Sequence, residues 1–467
     1  MKSSVISTVV KNDLCVGCGA CAATCPEQKL KMVFNRYGEY IPTSIQECSK
    51  GCGICLKVCP FFNGNNNEDG IGSALYSQIP GISFREETGY YLSCYVGYAP
   101  ETRLQGSSGG IATWLLSTLL KKGVVDYVVA VVPNEDSDFL FKFAILDNPE
   151  HIMNSAGSVY YPVELSGVLQ SIQNRPGKYA IVGLPCFIKA IRLAAQRNQK
   201  VKERIIVTLG LVCGQMKSKH YTEYISSLSG VYPPLQEVSY RGKSKEKPAC
   251  NYYFSCKNKT GKTGKIFHDQ GVGKVWINRW FTLNACNYCD DVYAECADVT
   301  LMDAWLPEYA ADYQGTNFIL VRSLLMKDIF NDKLHPDKIH IKPAPVEDLI
   351  KSQDGVIKYK KEYLAGRLFL NLQKKIPVPV KRVEPKNVWK DFFQQREGEI
   401  RDQMMVASRN GWVRANEGGT CNLEQFHTEL LPFLEELRKR KIISKILNLP
   451  FDIVKSIQVR IRRDLRE

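Results

Sequence analysis

Four cysteines open the chain at the spacing Cys15-x2-Cys18-x2-Cys21-x3-Cys25-Pro26, and four more repeat it as Cys48-x3-Cys52-x2-Cys55-x3-Cys59-Pro60, one residue longer in the first gap. Three close cysteines at this spacing wrap one face of an iron–sulfur cubane. The fourth leaves the loop at a proline and reaches the neighbouring cluster. Cys15, Cys18, Cys21 and Cys59 are therefore expected to hold one [4Fe–4S] cluster, and Cys48, Cys52, Cys55 and Cys25 a second. Gly17, Gly19, Ala20, Gly51 and Gly53 let the backbone fold tightly and turn N–H groups toward the sulfurs, donors that help set a cluster's potential. Zinc also takes four thiolates, but its sites usually come as two separated pairs. Two clusters in series relay single electrons. Reactions of organic substrates usually move two electrons and a proton, so a converter such as flavin is needed elsewhere in the chain.

Four later cysteines are candidates for a third [4Fe–4S] cluster. Tyr179–Gly183 reads as a strand ending at Leu184-Pro185-Cys186 before a helix over Phe187–Arg197, and Ile205–Val212 reads as a strand ending at Cys213-Gly214. If those strands are parallel neighbours, both cysteines face the crevice where open α/β sheets bind ligands. Cys286-x2-Cys289, in the turn-prone segment Asn284–Asp291, completes a set of four. Ordinary buried thiols are the alternative reading.

Between a strand at Leu92–Ala99 and a helix at Ile111–Lys122 lies the loop Gln105-Gly106-Ser107-Ser108-Gly109-Gly110, and a buried strand over Val124–Val132 follows. Ser107 or Ser108 is placed to cap the helix, and the glycines admit close backbone approach. Ser107, Ser108, Gly109 and Gly110 are thus candidates to hold a flavin pyrophosphate, although such a turn is often only a cap. Gly261-Lys262-Thr263 lacks the first glycine of a phosphate loop, since Cys256 stands there. Cys94, Cys250, Cys256, Cys296 and Cys421 form no ligand spacing and read as packing thiols, and the six histidines, His220 among them, form no catalytic pattern.

The elements that must position these residues need about three domains at 467 residues. Hydrophobic residues at 44% and charged residues at 24% exclude a disordered or fibrous chain. No signal peptide fits before Cys15, and no apolar run reaches the roughly 18 residues of a membrane span, so seventeen cysteines are expected in a reducing cytoplasm as ligands and buried thiols. The net charge of +14 is half local: from Arg438 onward ten Lys/Arg face three acids, or +7. That concentration argues against nucleic acid, which wants basic stripes with stacking aromatics along the folded domains.

The motifs together resemble the family of coenzyme F420 hydrogenase/dehydrogenase beta subunits, where F420 names a deazaflavin coenzyme, in its branch with an N-terminal double-cluster ferredoxin domain. The matching pieces are Ser107-Ser108-Gly109-Gly110-Ile111, Gly183-Leu184-Pro185-Cys186, Leu211-Val212-Cys213-Gly214, Cys286-x2-Cys289, Ala297-Asp298-Val299, Asp303-Ala304-Trp305, and Gly315-Thr316 leading into Ile319–Arg322. The resemblance implies FAD and iron–sulfur clusters, with oxidation or reduction of coenzyme F420, or use of reduced ferredoxin on an organic substrate as in the similar hydroxymethyl-chlorophyll and vinyl-chlorophyllide reductases. Met302 stands where glycine is usual, and Gly157-Ser158-Val159-Tyr160 lacks the usual basic residue, so a specific coenzyme or substrate pocket is not carried over.

The expected fold is α+β. A bacterial-type 2[4Fe–4S] ferredoxin domain over 1–62 precedes a flexible linker over 63–89, whose Asn63–Gly72 is Asn, Gly and acid rich. An α/β flavin-binding domain follows in two parts, 90–180 and 181–345, the second carrying the third cluster. A mostly helical extension over 346–467, with stretches around Val346–Leu370 and Val388–Ser408, ends in a basic amphipathic tail. That tail suits an anionic membrane surface, an acidic partner such as ferredoxin, or packing on its own domain. The expected activity is an oxidoreductase that takes electrons from ferredoxin or another one-electron donor through the clusters and FAD to a substrate. The alternative is an electron-transfer subunit of a larger hydrogenase or dehydrogenase complex.

Overall fold

A computed structural model of the chain describes residues 4–48, 51–135, 139–331, 338–388, 392–417 and 421–447. The N-terminal unit is a ribbon of β1 (Leu30–Phe34) and β2 (Tyr40–Ser44) with two single-turn helices, Ala20–Ala23 and Ile54–Lys57. Each helix is entered through a left-handed glycine, Gly19 at φ 80° and Gly53 at φ 67°. A side chain is strained in that conformation, and the repeat of the device is the structural echo of the repeated cysteine run.

Asn63–Gly72 is fastened to the molecule where a flexible linker was expected. Asn67 Oδ1 accepts the Gly70 N–H at 3.0 Å and caps a helix over Glu68–Tyr76, whose Tyr76 hydroxyl donates to the Cys296 carbonyl at 3.1 Å. The composition that suggests a linker also supplies caps, and Glu68 is buried in an ion pair with Lys189 at 3.1 Å. A short hairpin, β3 (Ser83–Arg85) and β4 (Gly89–Tyr91), leads into the body.

The body is an eight-stranded mixed sheet of β5 (Ser93–Tyr98), β6 (Tyr127–Pro133), β7 (Phe141–Leu146), β8 (Tyr179–Gly183), β9 (Ile205–Leu211), β13 (Val299–Asp303), β14 (Asn317–Val321) and β15 (His340–Pro343). Its order is β15-β5-β14-β13-β9-β8-β6-β7, with β6, β8, β9 and β13 parallel in the centre and antiparallel pairs on both flanks. The central strands are buried on both faces, as their unbroken apolar runs require. Ile111, Leu115 and Leu119 of the helix Ile111–Lys121 cover one face, and Phe187, Ile188 and Ile191 of the helix Pro185–Ala195 cover the other. Val16, Leu56, Val58 and Phe61 of the N-terminal unit enter the second of these cores, so the two parts share one apolar interior.

A three-stranded sheet, β10 (Leu235–Gly242), β11 (Tyr253–Asn258) and β12 (Thr263–Phe267), is inserted after β9. The C-terminal region is helical, as the sequence suggests. Helices Val346–Ser352 and Asp354–Lys358 run into a π-helical turn at Tyr359–Tyr363 and a helix Leu364–Gln373, and the pair Phe392–Ala415 and Leu423–Leu447 follows. That pair packs through Trp412, 2% exposed, with Phe426 at 5.3 Å and Phe281 at 5.8 Å between ring centres. The end of the basic tail, from residue 448, lies outside the described residues. Among the described residues no helix is long and apolar enough to cross a membrane.

Candidate functional site

Strands β8 and β9 are parallel neighbours, with Val182 opposite Leu209 and Gly183 opposite Gly210. Their carboxyl ends therefore open on the same edge of the sheet. Extended Leu184 and then Pro185 at the first helical position start a helix there, which puts Cys186 in its first turn. Cys213 leaves β9 and is held by its N–H on the Val292 carbonyl at 3.2 Å. Cys286 sits in a 3-10 turn, Asn284–Tyr288, and Cys289 closes that turn.

These four thiols lie within each other's electrostatic field. Burial is the largest influence on each of Cys186, Cys213 and Cys286; it pushes Cys186 far above the usual thiol range and Cys213 up to about 12, and the neighbouring thiols push in the same direction. Burial opposes ionisation of Cys186, Cys213 and Cys286, and the positive charge of an iron–sulfur core would offset it, so the donor set fits a cluster. Two donors already face the sulfurs: Met216 N–H reaches Cys286 Sγ at 3.2 Å, and Lys360 Nζ reaches Cys289 Sγ at 3.1 Å.

Seven of the eight N-terminal thiols sort into two groups. Burial pushes the thiols of Cys15 and Cys21 far up, and both also feel Cys18 and Cys59; Cys18 is raised to about 11 and Cys59 to about 12, again chiefly by burial. Cys55, raised by burial, feels Cys52 and Cys25. Gly17 N–H donates to Cys15 Sγ at 3.3 Å and Lys29 N–H to Cys25 Sγ at 3.4 Å. Cys48 and Cys52 are exposed. The groups are also near one another, for Cys55 acts on Cys21 and Cys18 acts on Cys186. Among the described residues no three His, Cys, Asp or Glu side chains close around a single metal ion; a cubane keeps its ligands further apart.

A cavity of about 380 Å³ opens where the carboxyl ends of β6, β8, β9 and β13 meet the loop after β5. Cys213, Leu184 and Met216 form its wall toward the thiols; Tyr160, Trp276, Tyr252 and Trp305 give it flat aromatic faces. The sequence expectation for the loop needs correction. Neither serine caps the helix. Gly110 is the N-cap at φ 78°, where a Cβ would lie 2.6 Å from the Thr102 carbonyl oxygen, and this left-handed residue leaves Ser107 and Ser108 too early in the chain to cap. Ser107 Oγ instead accepts the Ser158 N–H at 2.5 Å, and Ser108 Oγ donates to the Thr316 carbonyl at 2.7 Å. Ser107, Ser108 and Gly110 still line the cavity; Gly109 packs against Gly97 and Asn317.

Several charged groups around the cavity carried no motif. Lys243 Nζ donates to the carbonyls of Ser108 at 2.7 Å, Gln314 at 2.5 Å and Arg103, locking the glycine loop. Arg241 makes two 2.9 Å bonds to Asp303, and its guanidinium lies 4.8 Å from the Tyr252 ring centre and 5.4 Å from that of Trp305. Its Nε is buried without a partner, an orphan donor on a residue that lines the cavity. Lys217, whose ammonium burial pulls well below its usual range, donates to Gln215, the Trp280 carbonyl and Thr282. The departures noted in the sequence, Met302 and Tyr160, both line this cavity.

The remaining thiols divide. Cys94, Cys256 and Cys296 are buried as expected, Cys421 is half-buried, and Cys250 is exposed on a turn, which corrects its reading as a packing thiol. His220 bonds Glu223 at 2.6 Å and the Arg36 carbonyl at 3.1 Å, a structural tie between the body and the N-terminal unit.

Comparison with known families matches three models: a 4Fe–4S dicluster domain at residues 14–63, and the coenzyme F420 hydrogenase/dehydrogenase beta subunit, its N-terminal part at 94–170 and its C-terminal part at 177–347. The chain is 23% identical over 354 residues to a subunit of the F(420)H(2) dehydrogenase of Methanosarcina mazei, covering 74% of this chain and 89% of that protein. It is 29% identical over 343 residues to "Coenzyme F420-dependent sulfite reductase" of Methanocaldococcus jannaschii, covering 70% of this chain but only 47% of that protein's length. Among solved structures, a chain of the xenon-derivatised F420-reducing [NiFe] hydrogenase complex of Methanosarcina barkeri aligns at a TM-score of 0.46 and 16% identity, covering 62% of this chain and 96% of that one.

Proposed function

Because the chain belongs to the family of coenzyme F420 hydrogenase/dehydrogenase beta subunits and carries a 4Fe–4S dicluster domain, it is an iron–sulfur electron-transfer protein, and we propose that it is a flavin-dependent oxidoreductase with a third cluster. On this reading electrons enter from reduced ferredoxin or coenzyme F420 and are spent on an organic substrate. The observation that carries it is the file of thiols. Exposed Cys52 adjoins Cys55, which adjoins the set of Cys15, Cys18, Cys21 and Cys59; Cys18 of that set adjoins Cys186; and Cys213, of the same group as Cys186, forms the cavity wall. Such a file has one wet end and one end at a pocket.

The cavity fits a flavin by its residues: four flat aromatic side chains, a glycine loop held by Lys243, and the orphan Arg241 donor. A flavin bound there supplies the exchange between single electrons and a hydride. The unpartnered Arg241 Nε would offer a donor to it, the Tyr160 and Trp276 rings, 4.8 Å apart, would face it, and the Ser107–Gly110 loop would border it.

The test is anaerobic purification with iron, sulfide and flavin quantified. About twelve irons and one FAD per chain are expected from three cubanes and one cavity. About eight irons with no flavin would reduce the protein to a double-cluster carrier with an unexplained body. A second reading, an electron-transfer subunit without catalysis of its own, is favoured by the relative named as a dehydrogenase subunit, of which this chain covers 89%. Turnover of ferredoxin, coenzyme F420 or a nicotinamide by the isolated chain would separate the two.

A further inference from the structure

We propose that Lys360, supplied by the C-terminal extension, sets the potential of the cluster held by Cys186, Cys213, Cys286 and Cys289 and keeps it more easily reduced than the family core alone would make it. The inference rests on the third-cluster reading above. The family match ends at residue 347, and the extension turns back at once onto the cysteine turn. Tyr359 hydroxyl donates to Asn287 Oδ1 at 3.2 Å, Arg367 Nη1 to the Asn287 carbonyl at 2.8 Å, and Asn371 Nδ2 to the Tyr288 hydroxyl at 3.0 Å. Every one of these bonds grips the turn that carries Cys286 and Cys289.

Within that grip the side chain of Lys360, on a residue 2% exposed, ends 3.1 Å from Cys289 Sγ and 2.6 Å from the Asp291 carbonyl. The bulge that aims it is the π-helical turn Tyr359–Tyr363, an irregularity that recurs at functional sites. Its ammonium bonds Cys289 Sγ and the Asp291 carbonyl, and the Asp291 carboxyl acts on it as well. Arg279 acts on Cys286, and Lys360 acts on Cys286, Cys289 and Cys213 together.

The chemistry is a one-electron step without bond making. A cluster held there would take one electron from an adjoining N-terminal cluster, and its net charge would become more negative by one. A fixed ammonium beside a ligand sulfur, donating an N–H to it, favours that reduced form over the oxidised one; hydrogen bonds to sulfur, net charge and exposure are the levers that set such potentials.

The experiment is a potentiometric titration of the full chain, followed by electron paramagnetic resonance, in the wild type and in Lys360→Met, Lys360→Gln and Lys360→Arg. Loss of the charge is expected to disfavour reduction of the third cluster at least tenfold, 59 mV for a one-electron couple, in Lys360→Met. Lys360→Gln should follow it although an N–H remains, and Lys360→Arg should return toward the wild-type value. Should Lys360→Met lose iron, Lys360→Gln decides. A wild type with about twelve irons whose third cluster titrates within threefold of the Gln and Met variants overturns the proposal. A wild type with only about eight irons instead overturns the cluster reading on which it rests.

Discussion

Arg382 is the place where one substitution should loosen the helix Glu68–Tyr76 from the body. Its guanidinium donates to Glu295 at 2.6 and 2.9 Å and to Asp69 at 2.8 Å, and its Nε lies 3.6 Å from Glu68 and 3.5 Å from Asp290. The arginine side chain is 8% exposed, Glu295 3% and Asp290 2%. Removing one partner of a buried ion pair costs about 3–5 kcal/mol, because the other charge is left uncompensated. Lys189 still pairs with Glu68 at 3.1 Å and Lys381 with Asp290 at 3.7 Å, so the lower end, about 3 kcal/mol, is the reasoned value for Arg382→Met. At about 1.4 kcal/mol per tenfold, protection against hydrogen exchange in the helix Glu68–Tyr76 should fall by about two decades in the anaerobic holoprotein. Adding Glu295→Gln should return part of the loss, since it removes the orphaned charge. A fall of less than tenfold, or a double variant no better protected than the single one, would refute the reasoning.

Three further outcomes follow from the same contacts. Gly110→Ala places a Cβ 2.6 Å from Thr102 at a positive φ and should cost about 1–3 kcal/mol, lowering both the thermal midpoint and the flavin retained per chain. Trp412→Ala empties a site 2% exposed between Phe281 and Phe426 and should cost about 3–5 kcal/mol in urea unfolding followed by circular dichroism, with iron content unchanged. Burial, with help from Arg241 and Arg103, lowers the Lys243 ammonium to about 7. Between about pH 7 and about pH 10 the unfolded chain keeps a proton that the folded chain has released, so this group adds stability as pH rises through that window. The urea midpoint of wild type minus that of Lys243→Met should therefore climb from pH 7 to pH 9.

What the sequence made legible is what is encoded over short spans. The two cysteine runs need only their own spacing. Cys186 and Cys213 were readable because each ends an apolar run at a turn, and one topological fact, that β8 and β9 lie side by side and parallel, brings them together. The helix caps were harder, because Ser107 and Ser108 have the right chemistry at the wrong register once Gly110 adopts a left-handed conformation. Asn67 and Glu68 show the opposite error, polar residues that suggested a tether but act as a cap and a buried ion-pair partner. Lys243, Arg241, Lys360 and Arg382 were invisible for one shared reason. Their partners lie far along the chain: Lys360 is 71 residues from Cys289 and Lys243 is 135 from Ser108. A cation in a Tyr-Lys-Lys run looks like any solvated face until the fold supplies what it touches.

The extension, which carried no motif, fastens both the N-terminal unit and the Cys286–Cys289 turn, in addition to the apolar interior those parts share. Arg409 on its first long helix bonds Asp13 at 2.7 Å and Glu39 at 3.0 Å, beside the N-terminal thiols. Val380 N–H donates to Asn63 Oδ1 at 3.0 Å, just past Cys59, and the Lys381 ammonium sits 4.4 Å from the centre of the Phe61 ring. Arg367, bonded to Asp402 of the long helix at 2.8 Å, holds the Cys286–Cys289 turn from the other side. One helical region thus touches both the set around Cys15 and Cys59 and the Cys286–Cys289 turn. Transfer of single electrons weakens steeply with distance, so a relay of separate clusters demands a frame that does not breathe. Charged fasteners at buried positions suit that demand: each is directional, and breaking any one leaves a costly unpaired charge. Variants at Arg409, Arg382 or Arg367 should therefore slow electron passage between the thiol sets before they unfold the chain, and transfer rates equal to the wild type in all three would show that the extension merely covers the core.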